Sequence, residues 1–144
     1  MNYYVYTDGA YSTERGVGSW AYLIYTDKTF IEWNSNKTSF ISSPTYAEDI
    51  AIGTACHSLI DRGLTEKDKV IIHTDSLATL KLLTNIIDNG MEFTNKNILI
   101  DDAIKMLKCL NDITNIEFCK VRGHRNILNP NICVDRMAKY VLRS

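Results

Sequence analysis

Residues 2–34 read NYYVYTDGAYSTERGVGSWAYLIYTDKTFIEWN, and this stretch decides the fold. Residues 2–8 are rich in Tyr and Val, which favour a pleated strand, and Asp8-Gly9 is a turn signal that ends it. Gly16-Val17-Gly18 precedes a second strand over residues 19–25, and Asp27-Lys28 turns the chain into a third over residues 29–34. Three strands joined by short turns predict an antiparallel meander.

Downstream the period changes. Ala47, Ile50, Ala51, Thr54, Ala55, Ser58 and Leu59 recur at three and four residues, the spacing of one helix face. Pro44 suits the first turn, Ser43 is the candidate cap, and Arg62-Gly63 ends the helix. The small side chains on that face allow close approach to a sheet. Residues 70–74 read as a buried strand, followed by helices from Ser76 and over residues 97–110. A last strand at 115–121 and a closing helix at 134–142 complete the order β-β-β-α-β-α-α-β-α. That order predicts an α/β fold in which helices pack on a mixed five-stranded sheet. No repeat or linker interrupts residues 1–144, so one domain is expected.

The composition, 45% hydrophobic and 23% charged, is that of an ordinary globular domain. No apolar run is long enough to span a membrane, and Met1 to Tyr6 lacks the pattern of a signal peptide, so a cytoplasmic protein is expected. Cys56, Cys109, Cys119 and Cys133 form no C-x-x-C pair and no metal spacing with the three histidines. They read as reduced thiols, most of them in the core. The net charge of −1 gives no general attraction to nucleic acid. From Lys120 onward, however, Lys120, Arg122, Arg125, Arg136, Lys139 and Arg143 face a single acid, Asp135. Beside a metal site such a cluster is a candidate phosphate-contact surface.

Four carboxylate motifs carry the chemistry: Thr7-Asp8-Gly9-Ala10, Ala47-Glu48-Asp49, Thr74-Asp75-Ser76 and Val134-Asp135-Arg136. Asp8 is expected to end the first strand, Glu48 to sit in the first helical turn, Asp75 to end the fourth strand, and Asp135 to start the last helix. Taken singly, each has a commoner explanation as a turn or helix-start residue. Together, each at an element boundary, they are placed to converge at the edge of an α/β layer. Converged acids at about 4 Å and a dielectric near 20 repel by roughly 4 kcal/mol per pair. A fold that tolerates them normally binds divalent cations, and oxygen-only ligands favour magnesium or manganese.

These motifs, with Val121-Arg122-Gly123-His124 and the segment from Asn131 to Ala138, resemble the type 1 ribonuclease H family over essentially the whole chain. The resemblance implies the ribonuclease H-like sheet. It also implies hydrolysis of the RNA strand of RNA–DNA hybrids, with Asp8, Glu48, Asp75 and Asp135 as metal-binding catalytic acids. Two magnesium ions with substrate, or manganese in their place, are the implied cofactors, and His124 is the implied proton-handling or product-release residue. His57 and His73 receive no catalytic role. The chain departs from the family where Ser42-Ser43-Pro44-Thr45 replaces asparagines that contact the hybrid, and it has no clear counterpart of the basic handle between Asp75 and Asn97. Weak, salt-sensitive binding, or affinity supplied partly by an auxiliary protein, is the consequence expected. Ser12, Ser43, Thr45 and Asn131 are candidate DNA-strand contacts, and Gly9 and Ala10 lie where backbone amides can approach RNA. The competing readings are a related nuclease on structured DNA or RNA, and a nucleic-acid-binding or assembly module with a degenerate site.

Overall fold

The computed structural model describes residues 1–27, 29–39, 41–121 and 129–144. Its strands are β1 (Asn2–Ser12), β2 (Val17–Thr26), β3 (Phe30–Thr38), β4 (Lys69–Thr74) and β5 (Asn115–Lys120). Its helices are α1 (Pro44–Ile60), α2 (Leu77–Asp88), α3 (Ile98–Ile113) and α4 (Pro130–Arg143). The five strands form one sheet in the order β3-β2-β1-β4-β5. β1, β2 and β3 pair antiparallel, whereas β4 pairs parallel with both β1 and β5. The expected α/β architecture with a mixed five-stranded sheet is therefore the one observed.

Strand alternation divides the core into two layers. Val5, Tyr22, Ile24, Val70 and Ile72 pack with Ile52, Leu59, Ile104, Leu107 and Leu110 of α1 and α3. On the opposite face Ala21 and Leu23 pack with Val134 and Ala138 of α4. Caps mark the helix starts: Ser43, Ser76, Asn97 and Asn129 each accept a backbone N–H from the first turn. Small residues permit close packing, since a Cβ on Gly53 would meet the backbone of Ala103 at 2.4 Å.

Several boundaries differ from the sequence reading. β1 runs on to Ser12 because residues 8–12 continue the ladder with residues 17–21 of β2, so Asp8 lies within the strand. Pro44 opens α1, which makes Glu48 its fifth residue, beyond the first turn. α4 begins at Pro130 under an Asn129 cap, so Asp135 lies in its second turn and not at its start. Only Cys56 is buried. Cys109, Cys119 and Cys133 lie on outward faces of α3, β5 and α4.

Candidate active site

The parallel register of β1 and β4 explains how two of the acids meet. Tyr6 pairs with His73, and Asp8 and Asp75 each follow two residues later, where β4 ends beside the middle of β1. Glu48 arrives from α1, which packs on β1. One carboxylate oxygen from each of Asp8, Glu48 and Asp75 lies within 4.8 Å of the other two. Asp135 approaches from the other face: it adds to the upward push on the Asp8 pKa and is ion-paired with Lys139, one helical turn on, at 3.1 Å. β1, α1 and the residue after β4 thus each supply one acid to the cluster, and α4 places Asp135 beside Asp8.

Their surroundings differ. Asp8 is 6% exposed and Glu48 2%, whereas Asp75 is exposed and Asp135 half-buried. Burial, then the charges of Glu48 and Asp75, push the Asp8 pKa well above the carboxylate range, against a stabilising hydrogen bond from the Gly9 N–H at 2.9 Å. Burial pushes Glu48 up to about 7, although Thr7 and Thr74 both lower it through hydrogen bonds. The Thr7 hydroxyl donates to Glu48 Oε1. Three hard oxygens this close, two of them buried and mutually repelling, fit a small divalent cation, which would favour their ionised forms.

The other candidate residues are placed as follows. Gly9 and Ala10 are half-buried on β1 beside Asp8, and Ser12 ends that strand, accepting the Arg15 N–H at 3.3 Å. Ser43 spends one oxygen lone pair capping α1 through the Tyr46 N–H at 3.2 Å. Thr45 and Asn131 are half-buried in the first turns of α1 and α4. His124 lies outside the described residues. His73 stacks on Tyr6 with centroids 4.3 Å apart, and its Nδ1 lies 3.2 Å from the Val5 carbonyl oxygen.

Sequence reasoning missed three participants. Thr7 donates to Glu48 and Thr74 lies near enough to lower its pKa, and a signal for them was present in the repeated Thr-Asp pair at residues 7–8 and 74–75. Asp49 is the third: it is 2% exposed, and neither carboxylate oxygen finds a hydrogen-bond partner. Thr79 of α2 is near enough to lower its pKa, but the two do not close a hydrogen bond of normal geometry. Burial accordingly leaves the Asp49 pKa at about 7.

Comparison with known proteins completes the picture. The chain resembles RNase H1 from the halophilic archaeon Halobacterium salinarum NRC-1 at TM-score 0.69 and 16% identity, over 99% of this chain and 98% of that one. It also resembles the N-terminal RNase H domain of rv2228c from Mycobacterium tuberculosis, solved as a fusion with maltose-binding protein. There the TM-score is 0.72 at 15% identity, over 99% and 94% of the respective chains. No curated protein matches. At such identities the structural likeness speaks for the fold, while the RNase H family model matches residues 1–143 and speaks for descent. The chain belongs to the RNase H family.

Proposed function

We propose that this chain is a metal-dependent endonuclease that hydrolyses the RNA strand of RNA–DNA hybrids with little sequence preference. The observation that carries the reading is the approach of the Asp8, Glu48 and Asp75 carboxylates to within 4.8 Å of one another. Asp8, Glu48, Asp75 and Asp135 would hold magnesium or manganese, two ions once substrate is present. Bound there, the cations would make a water more acidic and neutralise the leaving oxygen.

The protein's own groups set the geometry. Asp8 accepts the Gly9 N–H and Glu48 accepts the Thr7 hydroxyl, so each carboxylate has one oxygen anchored. Asp75 is exposed at the rim, open to solvent and to an approaching phosphodiester. Glu48 would orient the attacking water and the neighbouring ribose 2′-hydroxyl, the group that separates RNA from DNA. Gly9 and Ala10 would face the RNA backbone, and Ser12, Ser43, Thr45 and Asn131 the DNA strand. His124 would handle a proton or assist product release near neutral pH.

The test is cleavage of a hybrid labelled on both strands, with magnesium, beside Asp75→Asn and chelator controls. RNA-strand cuts lost in both controls are expected. Cutting of the DNA strand would keep the family and change the substrate. Intact hybrid that is nevertheless bound would favour a binding module.

A further inference from the structure

Of the cationic surface singled out in the sequence, Lys139 is ion-paired with Asp135 at 3.1 Å. On α4, Arg136, Lys139, Tyr140 and Arg143 are all exposed, at spacings of three and four that align them along one side of the helix. Tyr140 is 76% exposed, the most exposed of the large hydrophobic side chains. Opposite it stands Trp33 of the edge strand β3, 59% exposed. Trp33 pairs with Leu23, which packs on α4, so the indole stands on the α4 face of the sheet. The two side chains line one groove of about 350 Å³ together with Ser35, Arg136, Met137 and Val141. A second groove, of about 460 Å³, shares Arg136 and Tyr140 with the first and continues along Lys139 and Arg143 to Asp135. At that end it reaches the acid cluster.

We infer that this groove is a platform for single-stranded nucleic acid, on which Trp33 and Tyr140 stack bases while Arg136, Lys139 and Arg143 follow the phosphates. Two exposed aromatics beside cations form the combination that binds single strands without sequence readout. Duplex cannot offer unstacked base faces, so an unpaired extension of RNA or DNA fits better than the hybrid itself. Charge complementarity favours a polynucleotide over an apolar protein helix, because the rim is cationic on the helix side. From Asp135 to Arg143 is about 12 Å along the helix. At about 3.4 Å per stacked nucleotide that is a run of about three nucleotides leading away from the acids. The inference deepens the proposed function, adding hybrids with single-stranded tails to its substrate class.

The experiment separates the two readings by measuring binding without metal. Labelled dT12 and rU12 are titrated with the full chain in chelator at low salt, and anisotropy is followed. Both should bind, with affinity falling as salt rises. Trp33→Ala and Tyr140→Ala should each weaken binding about fivefold or more, with unchanged melting temperature. Binding of only one of the two oligonucleotides would support the platform and identify its strand. Absence of binding to both, or equal affinity in the parent and both aromatic variants, would overturn it. If no oligonucleotide binds but the parent self-associates in sedimentation and Trp33→Ala does not, the surface joins protein copies and the platform is wrong. If dT12 binds through Trp33 yet no hybrid is ever cut, the platform stands and the catalytic reading falls.

Discussion

A Cβ placed on Gly9 would lie 2.6 Å from the backbone nitrogen of Glu48 and 2.7 Å from the Cβ of Ala47. β1 and α1 therefore touch backbone to backbone where their two acids meet, and no side chain fits between them. Gly9→Ala has to displace α1 or distort β1, because the Glu48 nitrogen and the Ala47 carbonyl carbon it meets at 2.6 and 2.8 Å belong to main chain. The expected cost is about 1–3 kcal/mol of stability, with hybrid cleavage lowered at least tenfold. Thermal melting and initial rates on one preparation check both, and a wild-type rate would mean that the contact does not set the spacing of the acids.

Thr7 couples the two strands to the same helix, since its hydroxyl bonds Glu48 and approaches the His73 carbonyl oxygen at 3.1 Å. Thr7→Val keeps the shape and removes the donor. Loss of a buried hydrogen bond to an ionisable group is expected to cost about 1.5–3 kcal/mol, and to lower the cleavage rate more than hybrid affinity. Thr7→Ser should restore the rate. A Val variant with unaltered turnover would leave Thr7 a packing residue.

Burial raises the folded-state pKa of Asp8, Glu48 and Asp49, the last two to about 7. Each binds its proton more tightly folded than unfolded, so stability is fully present below the ordinary carboxylate value and falls as pH rises through the folded one. His73 acts in the opposite sense, because burial lowers its pKa and its contribution fades as pH falls below about 6.5. Three carboxylates against one imidazole predict that metal-free protein melts higher at pH 5.5 than at pH 8. Calorimetry at the two values checks the sign.

Asp49 offers a direct test of this cost, since its carboxylate oxygens are buried without hydrogen-bond partners. Asp49→Asn should raise the melting temperature at pH 8, by an amount corresponding to about 1–3 kcal/mol. The gain should shrink toward pH 5, where the parent is protonated. A lower melting temperature at pH 8 would show that the carboxylate is held by favourable partners.

Divalent cation binding to the folded acid cluster predicts that millimolar magnesium raises the melting temperature of the parent. Asp75→Asn should blunt the rise. An undiminished shift in that variant would locate the stabilising ion elsewhere.

The three outward thiols give a check on the fold that is independent of catalysis. Cys109, Cys119 and Cys133 should react with a thiol reagent in native protein. Cys56, buried in α1 with its thiol pKa pushed up to about 12 by desolvation, should react only on unfolding. Native reaction of all four would contradict the packing of α1.

The element order was legible in the sequence, and so were Asp8, Glu48, Asp75 and Asp135 as candidate acids. Both are local signals: strands 2–8 and 19–25 announce themselves by composition, α1 by its period and its Ser43-Pro44 start, and each acid by its neighbours. What failed was local too, because Asp8 before glycine looks like a strand end until β2 is present to continue the ladder. In the same way Asp135 looks like a helix start until the Asn129 cap claims Pro130. Only the tertiary structure decided which groups share an environment. The pairing of Tyr6 with His73 brings Asp8 and Asp75 together, and Gly9 lets Glu48 reach them. One groove lined by both Trp33 and Tyr140 joins residues 107 positions apart, a juxtaposition that no periodicity records. Distances of this kind arise from register and packing between elements, and a linear pattern carries only the propensities of each element taken alone.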